Sequence, residues 1–158
     1  MAAVVAGTSG LYRQPSGAVQ EQAVEKYEDL FFTYELLRYP ASTDIANATG
    51  NLAIGLNTDT DILGFGIIPS GDNYGTKHIS LTNGMDSPAR ITVSSTGDIA
   101  PLMEFSHRKA TLGPGESLVI DAKVLASRAP RPGRYEGEAD IKIIRARHAM
   151  GALLLGLV

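Results

Sequence analysis

From residue 50 onward, apolar and polar residues alternate in short runs separated by turn residues. Leu52, Ile54 and Leu56 alternate with Ala53 and Gly55. Leu63 to Ile68 is a brief apolar run closed by Pro69-Ser70-Gly71-Asp72. Ile79 and Leu81 alternate with His78, Ser80 and Thr82 before Asn83-Gly84, and Ile91 and Val93 alternate with Thr92 and Ser94 before Gly97-Asp98. Leu102 to Phe105 is a short apolar piece. Leu118, Ile120, Ala122 and Val124 alternate with Ser117, Asp121 and Lys123. Tyr135, Gly137, Ala139, Ile141 and Ile143 alternate with Glu136, Glu138, Asp140 and Lys142. A period of two puts successive side chains on opposite faces of an extended chain. The pattern predicts about seven strands, each with one apolar face that a second sheet must cover. The fold class expected is therefore all-β, a sandwich, with a small closed barrel as the alternative.

The first 49 residues read differently. Residues 1–16 show no period and contain Gly7, Gly10, Pro15 and Ser16, the composition of an arm. Over 17–38, Val19, Ala23, Tyr27, Leu30, Phe31, Tyr34 and Leu37 recur at three- and four-residue spacing, which predicts an amphipathic helix. Pro40 would end it, because the residue before a proline avoids the α region. The second half, Leu30 to Tyr39, is rich in aromatics and also suits a strand. The organisation expected is an N-terminal arm over 1–49, helical or partly extended, a sandwich over 50–148 and an apolar C-terminal segment over 149–158. That last segment, with Leu153, Leu154 and Leu155, follows the basic residues Arg145, Arg147 and His148. It suits a final element packed on the domain, a membrane anchor cut short, or a sticky end that docks on another subunit; ten residues are too few to span a bilayer.

Composition narrows the function classes. The chain has 158 residues, enough for one core, and 17 glycines and 8 prolines supply its turns. There is no cysteine, so disulfides, thiolate metal sites and cysteine nucleophiles are excluded. A formal net charge of −3 argues against a nucleic-acid partner. The one dense basic stretch, Arg128 to Arg134, reads as a solvated loop.

Three turn motifs carry a family likeness. Gly113-Pro114-Gly115-Glu116 precedes a strand, Pro132-Gly133-Arg134-Tyr135-Glu136-Gly137 opens the last one, and Ile79-Ser80-Leu81-Thr82-Asn83 ends in asparagine before a turn. In this order the motifs resemble the immunoglobulin-like modules of bacterial and archaeal surface proteins. More loosely, residues 50–120 are similar to the fibre-forming TasA and camelysin group. The resemblance implies an immunoglobulin-like, jelly-roll or Greek-key sandwich and an extracytoplasmic location, on the cell surface or secreted.

Candidate chemistry is sparse. His78, His107 and His148 have no metal-ligand spacing. Ser70 and Ser106 are the nearest serine nucleophiles, and neither stands in the G-x-S-x-G elbow. Glu136, Glu138 and Asp140 share one strand face and read as solvated charge. Asn57, Asp59 and Asp61 place side-chain oxygens at alternate positions, a spacing that suits calcium with help from Asp72 or Asn73. No other cofactor is indicated. The sequence thus predicts a structural or interaction protein, not an enzyme. It would join copies of itself, or other surface proteins, by strand addition into an oligomer or filament. The interface residues expected are Phe31, Phe32, Tyr34, Leu36, Leu153, Leu154 and Leu155, and the apolar ends would also allow membrane association. The competing expectation is a module that binds a cation or glycan through loops 57–61 and 69–74.

Overall fold

The computed structural model describes residues 11–12, 23–47, 63–147 and, in the C-terminal segment, Gly151, Leu153 and Leu155. Ten strands run in order: β1 Leu11–Tyr12, β2 Ala23–Glu28, β3 Phe32–Ala46, β4 Leu63–Pro69, β5 Tyr74–Asn83, β6 Ala89–Gly97, β7 Met103–Phe105, β8 Lys109–Leu112, β9 Ser117–Leu125 and β10 Gly133–Ala146. They form two sheets. One has the order β1-β5-β9-β7; the other has the order β2-β3-β10-β6-β8, with β4 also paired to β3. From β4 to β10 every connection passes from one sheet to the other, so strands adjacent within a sheet are never consecutive there. The inner faces close on one core. Leu37, Tyr39, Ile91, Val93, Ile141 and Ile143 of the larger sheet belong to the same buried cluster as Ile79, Leu81, Met103, Ile120 and Val124 of the smaller. Each such side chain contributes roughly 1.5–3 kcal/mol on burial.

The alternating segments from residue 63 onward form strands where expected, and Lys109–Leu112 adds one the pattern did not show. The segment Leu52 to Leu56 lies outside the described residues. The helix expected over 17–38 is a correction: its described residues form a hairpin, β2 and β3, joined at 29–31. The reason lies in the two faces of β3. Its buried face carries Glu35 and Thr43 among Leu37, Tyr39, Ala41 and Ile45, while its outer face carries Phe32, Tyr34 and Leu36. Polar residues inside and apolar ones outside erase the period of two and imitate helical spacing.

Pro40, expected to stop a helix, sits inside β3. β2 pairs with β3 as far as Arg38 and β4 begins its pairing at Ala41, so Pro40 stands in the gap between two neighbours. A residue without an N–H leaves no ladder position empty on that edge. β4 runs parallel to β3 with a register shift between Ser42 and Asp44. Gly66 takes a left-handed φ of 69° there, and the Thr43 hydroxyl donates to the Gly66 carbonyl at 3.0 Å. This is a bulge built by a glycine and sealed by a threonine.

Candidate functional site

Among the described residues the longest exposed run is β2 with the turn that follows it. Every residue from 24 to 30 is exposed, and Val24, Tyr27 and Leu30 show large apolar side chains to solvent. β3 is the only described strand that pairs with β2. The outer edge of β2 therefore presents backbone donors and acceptors that no described strand takes up.

Next to this edge lies an aromatic row. Tyr27 stacks on Tyr34 with ring centroids 4.5 Å apart and planes 8° from parallel. Phe32 meets Tyr34 edge-on at 6.1 Å, and the Lys142 ammonium stands 5.1 Å from the Tyr34 ring centre. Asp29 builds the turn that aims these rings. Its Oδ1 accepts the backbone N–H groups of Phe31 and Phe32 at 2.8 and 2.7 Å, and its Oδ2 accepts the Tyr34 hydroxyl at 2.9 Å. The N–H donors of Phe32 and Phe31 hold the Asp29 carboxyl below its ordinary value, and the bond to Asp29 raises the Tyr34 hydroxyl.

The C-terminal segment reaches the same region. The Arg147 N–H donates to the Phe31 carbonyl, its guanidinium donates to the Asp29 carbonyl at 2.9 Å, and it pairs with Glu28 at 3.3 Å. Gly151 packs so closely that a Cβ there would lie 2.6 Å from the Phe31 carbonyl oxygen. The Leu155 carbonyl accepts Arg90 Nη1 at 3.2 Å. Of the residues expected to form an interface, Phe31, Phe32, Tyr34 and Leu36 are half-buried, Leu153 is exposed and Leu155 is buried. Leu154 lies outside the described residues. The sequence separates the aromatic segment from the C-terminus by more than a hundred residues; the fold brings Phe31 and Gly151 into contact.

The other candidates are placed as follows. Asn57, Asp59 and Asp61 lie outside the described residues. Asp72 is exposed, and Asn73 spends its amide on the Ser70 carbonyl at 3.1 Å. Among the described residues no group of three His, Asp or Glu side chains is placed to hold a metal ion. His78 pairs across strands with Asp121 at 2.6 Å, on the solvent face of the smaller sheet. Ser106 Oγ lies 3.0 Å from Nδ1 of the adjacent His107 and accepts the Asp121 N–H at 2.9 Å. No carboxylate is bonded to His107 among the described residues, so the serine, histidine and acid do not form the relay that acyl transfer uses. Among the described residues no helix is long and apolar enough to cross a membrane.

Two features escaped the sequence. One is a buried ion pair between Glu35 and Arg145, on strands 110 residues apart. The other is the depression that the arginine-rich loop helps to form, whose second wall comes from residues 97–102. Compared with known proteins, the chain matches no family model, no curated protein and no solved structure.

Proposed function

We propose that this chain is a non-enzymatic, extracytoplasmic structural or interaction protein. In this reading it is an immunoglobulin-like sandwich that joins copies of itself, or other surface proteins, by strand addition at β2. The observation that carries the reading is the state of β2: a six-residue edge strand with solvent on every described side chain and one described neighbour. An incoming strand would take up the free backbone groups, and the ring pair of Tyr27 and Tyr34 offers it apolar area. The apolar C-terminal segment, held against the turn beside β2, would join the same contact or lie on a membrane surface.

The test is a charge placed on the edge. Val24 stands opposite Leu37 on the same face of the sheet yet is half exposed, so a lysine there can reach solvent and Val24→Lys should leave the fold intact. The reading expects the native chain to grow in mass with concentration by light scattering, and the variant to stay smaller at every concentration. Equal growth of both would remove β2 from the assembly; a native chain that stays monomeric would remove self-association.

A further inference from the structure

We infer that the depression between residues 97–102 and 128–135 is a binding groove for an acidic polysaccharide, with Arg131 as its anchoring cation. The depression measures about 790 Å3, and Asp98, Pro101, Arg128, Arg131, Arg134 and Tyr135 are among the residues that line it. A second hollow of about 280 Å3, over Pro40, Ser42 and Glu136, adjoins it at Arg134. Arg134 lines both hollows, so a ligand longer than a single small anion could touch the two at once.

The charges in the groove are not equivalent. Arg128 is bonded to Glu104, and Arg134 Nε is bonded to Glu136 at 2.6 Å. No described carboxylate pairs with Arg131, and its side chain is exposed on the rim. A guanidinium with all its donors open offers a carboxylate or sulfate two parallel hydrogen bonds. Arg128 and Arg134 keep donors beyond those their partners use.

The walls are set before any ligand arrives. Pro130 and Pro132 fix the backbone on either side of Arg131. The Tyr135 hydroxyl donates to the Arg131 carbonyl at 2.6 Å and closes the loop from inside. Opposite, Ile99 and Leu102 are buried and anchor the 97–102 turn, and the Ile99 N–H donates to the Glu136 carbonyl at 3.2 Å. Little ordering cost remains for a ligand to meet.

The mixture of groups selects the ligand class. Asp98 and Glu136 stand among the arginines and supply acceptors for sugar ring hydroxyls, donors that a DNA backbone does not offer. Tyr135 is the only aromatic lining the depression among the described residues, and it is half-buried, so no row of rings is open to successive bases. A chain of sugars bearing periodic acid groups fits both the arginines and the acceptors.

The experiment is calorimetric titration of the full chain with polygalacturonate, chondroitin sulfate, dextran and a single-stranded oligonucleotide. The inference expects saturable binding of one or both acidic polymers, with the carboxylated and sulfated arms identifying the acid group. It expects no heat from dextran and a weaker response to the oligonucleotide. Arg131→Ala should weaken binding about tenfold at an unchanged melting temperature, and Arg131→Lys should fall between. Failure of both acidic polymers to bind, binding unchanged in Arg131→Ala, or an oligonucleotide that binds as well as the sugars would each overturn it.

Discussion

Arg145 and Glu35 meet inside the larger sheet, Nη1 to Oε2 at 2.8 Å, with 7% and 3% of their side chains exposed. Arg145 Nε and Nη2 are buried as well and have no hydrogen-bond partner among the described residues. The pair is thus desolvated but only partly repaid. Removing one member strands the other charge, so Glu35→Ala should cost about 3–5 kcal/mol. The double replacement Glu35→Leu with Arg145→Met should cost much less, because it removes both charges and the unpaired donors together. Denaturant unfolding of the two variants checks this, and a double variant worse than the single one would show that the pair is a net stabiliser.

Asn83 ties two of the three turn motifs together, the one it ends and Gly113-Pro114-Gly115-Glu116. Its fully buried amide nitrogen donates to the carbonyls of Ser87, Leu112 and Gly113 at 2.9, 3.0 and 3.1 Å. Its backbone exchanges further bonds with Glu116 and Gly115. Asn83→Ala leaves buried carbonyls without donors and should cost about 2–4 kcal/mol in unfolding free energy. Asn83→Asp should be at least as damaging, since a carboxylate cannot donate to three carbonyls.

Gly137 and Gly97 stand opposite each other where β10 crosses β6. A Cβ at position 137 would lie 2.0 Å from the Thr96 carbonyl oxygen, a clash with backbone that no rotamer relieves. Gly137→Ala should therefore destabilise by more than about 3 kcal/mol. Gly115→Ala has open space and suffers only its left-handed φ of 73°, so a loss nearer about 1 kcal/mol is expected. Thermal melts of the two variants separate the close approach from the backbone conformation.

Two carboxylates give opposite pH responses. Backbone donors from Phe32 and Phe31 depress the Asp29 carboxyl below its ordinary 3.8, so its contribution is present above that value and is lost as pH falls through the lower folded value. Burial raises Asp140, which Arg38 opposes from 3.8 Å, so that residue costs stability as pH rises above its ordinary 3.8. In melts from pH 2.5 to 7, Asp29→Asn should lower the melting temperature at neutral pH and converge on the native chain in acid. Asp140→Asn should be neutral or stabilising at pH 7 and lose any advantage in acid. Parallel curves would mean that neither carboxyl is perturbed.

Most strands from residue 63 onward were legible because they have one polar face, as Glu138 and Lys142 show beside Ile141 and Ile143, and β4 because it is a short apolar run closed by turn residues. β3 was not, because Glu35 and Thr43 point inward while Phe32, Tyr34 and Leu36 point outward. The partner that makes Glu35 tolerable inside, Arg145, is far away in the chain and leaves no local mark. Asn83 could be read as the end of a strand, but its role depends on carbonyls that the fold delivers from residues 112 and 113. The arginines from 128 to 134 read as a solvated loop because the wall opposite them, residues 97–102, arrives only through the packing of Ile99 and Leu102.

Strand addition at β2 can be followed by amide hydrogen exchange over residues 23–28 at low and high protein concentration. The account predicts that the amides of β2 facing away from β3 exchange quickly in dilute solution and become protected as mass grows, while those bonded to β3 change little. Growth in mass with unchanged exchange across β2 would contradict it.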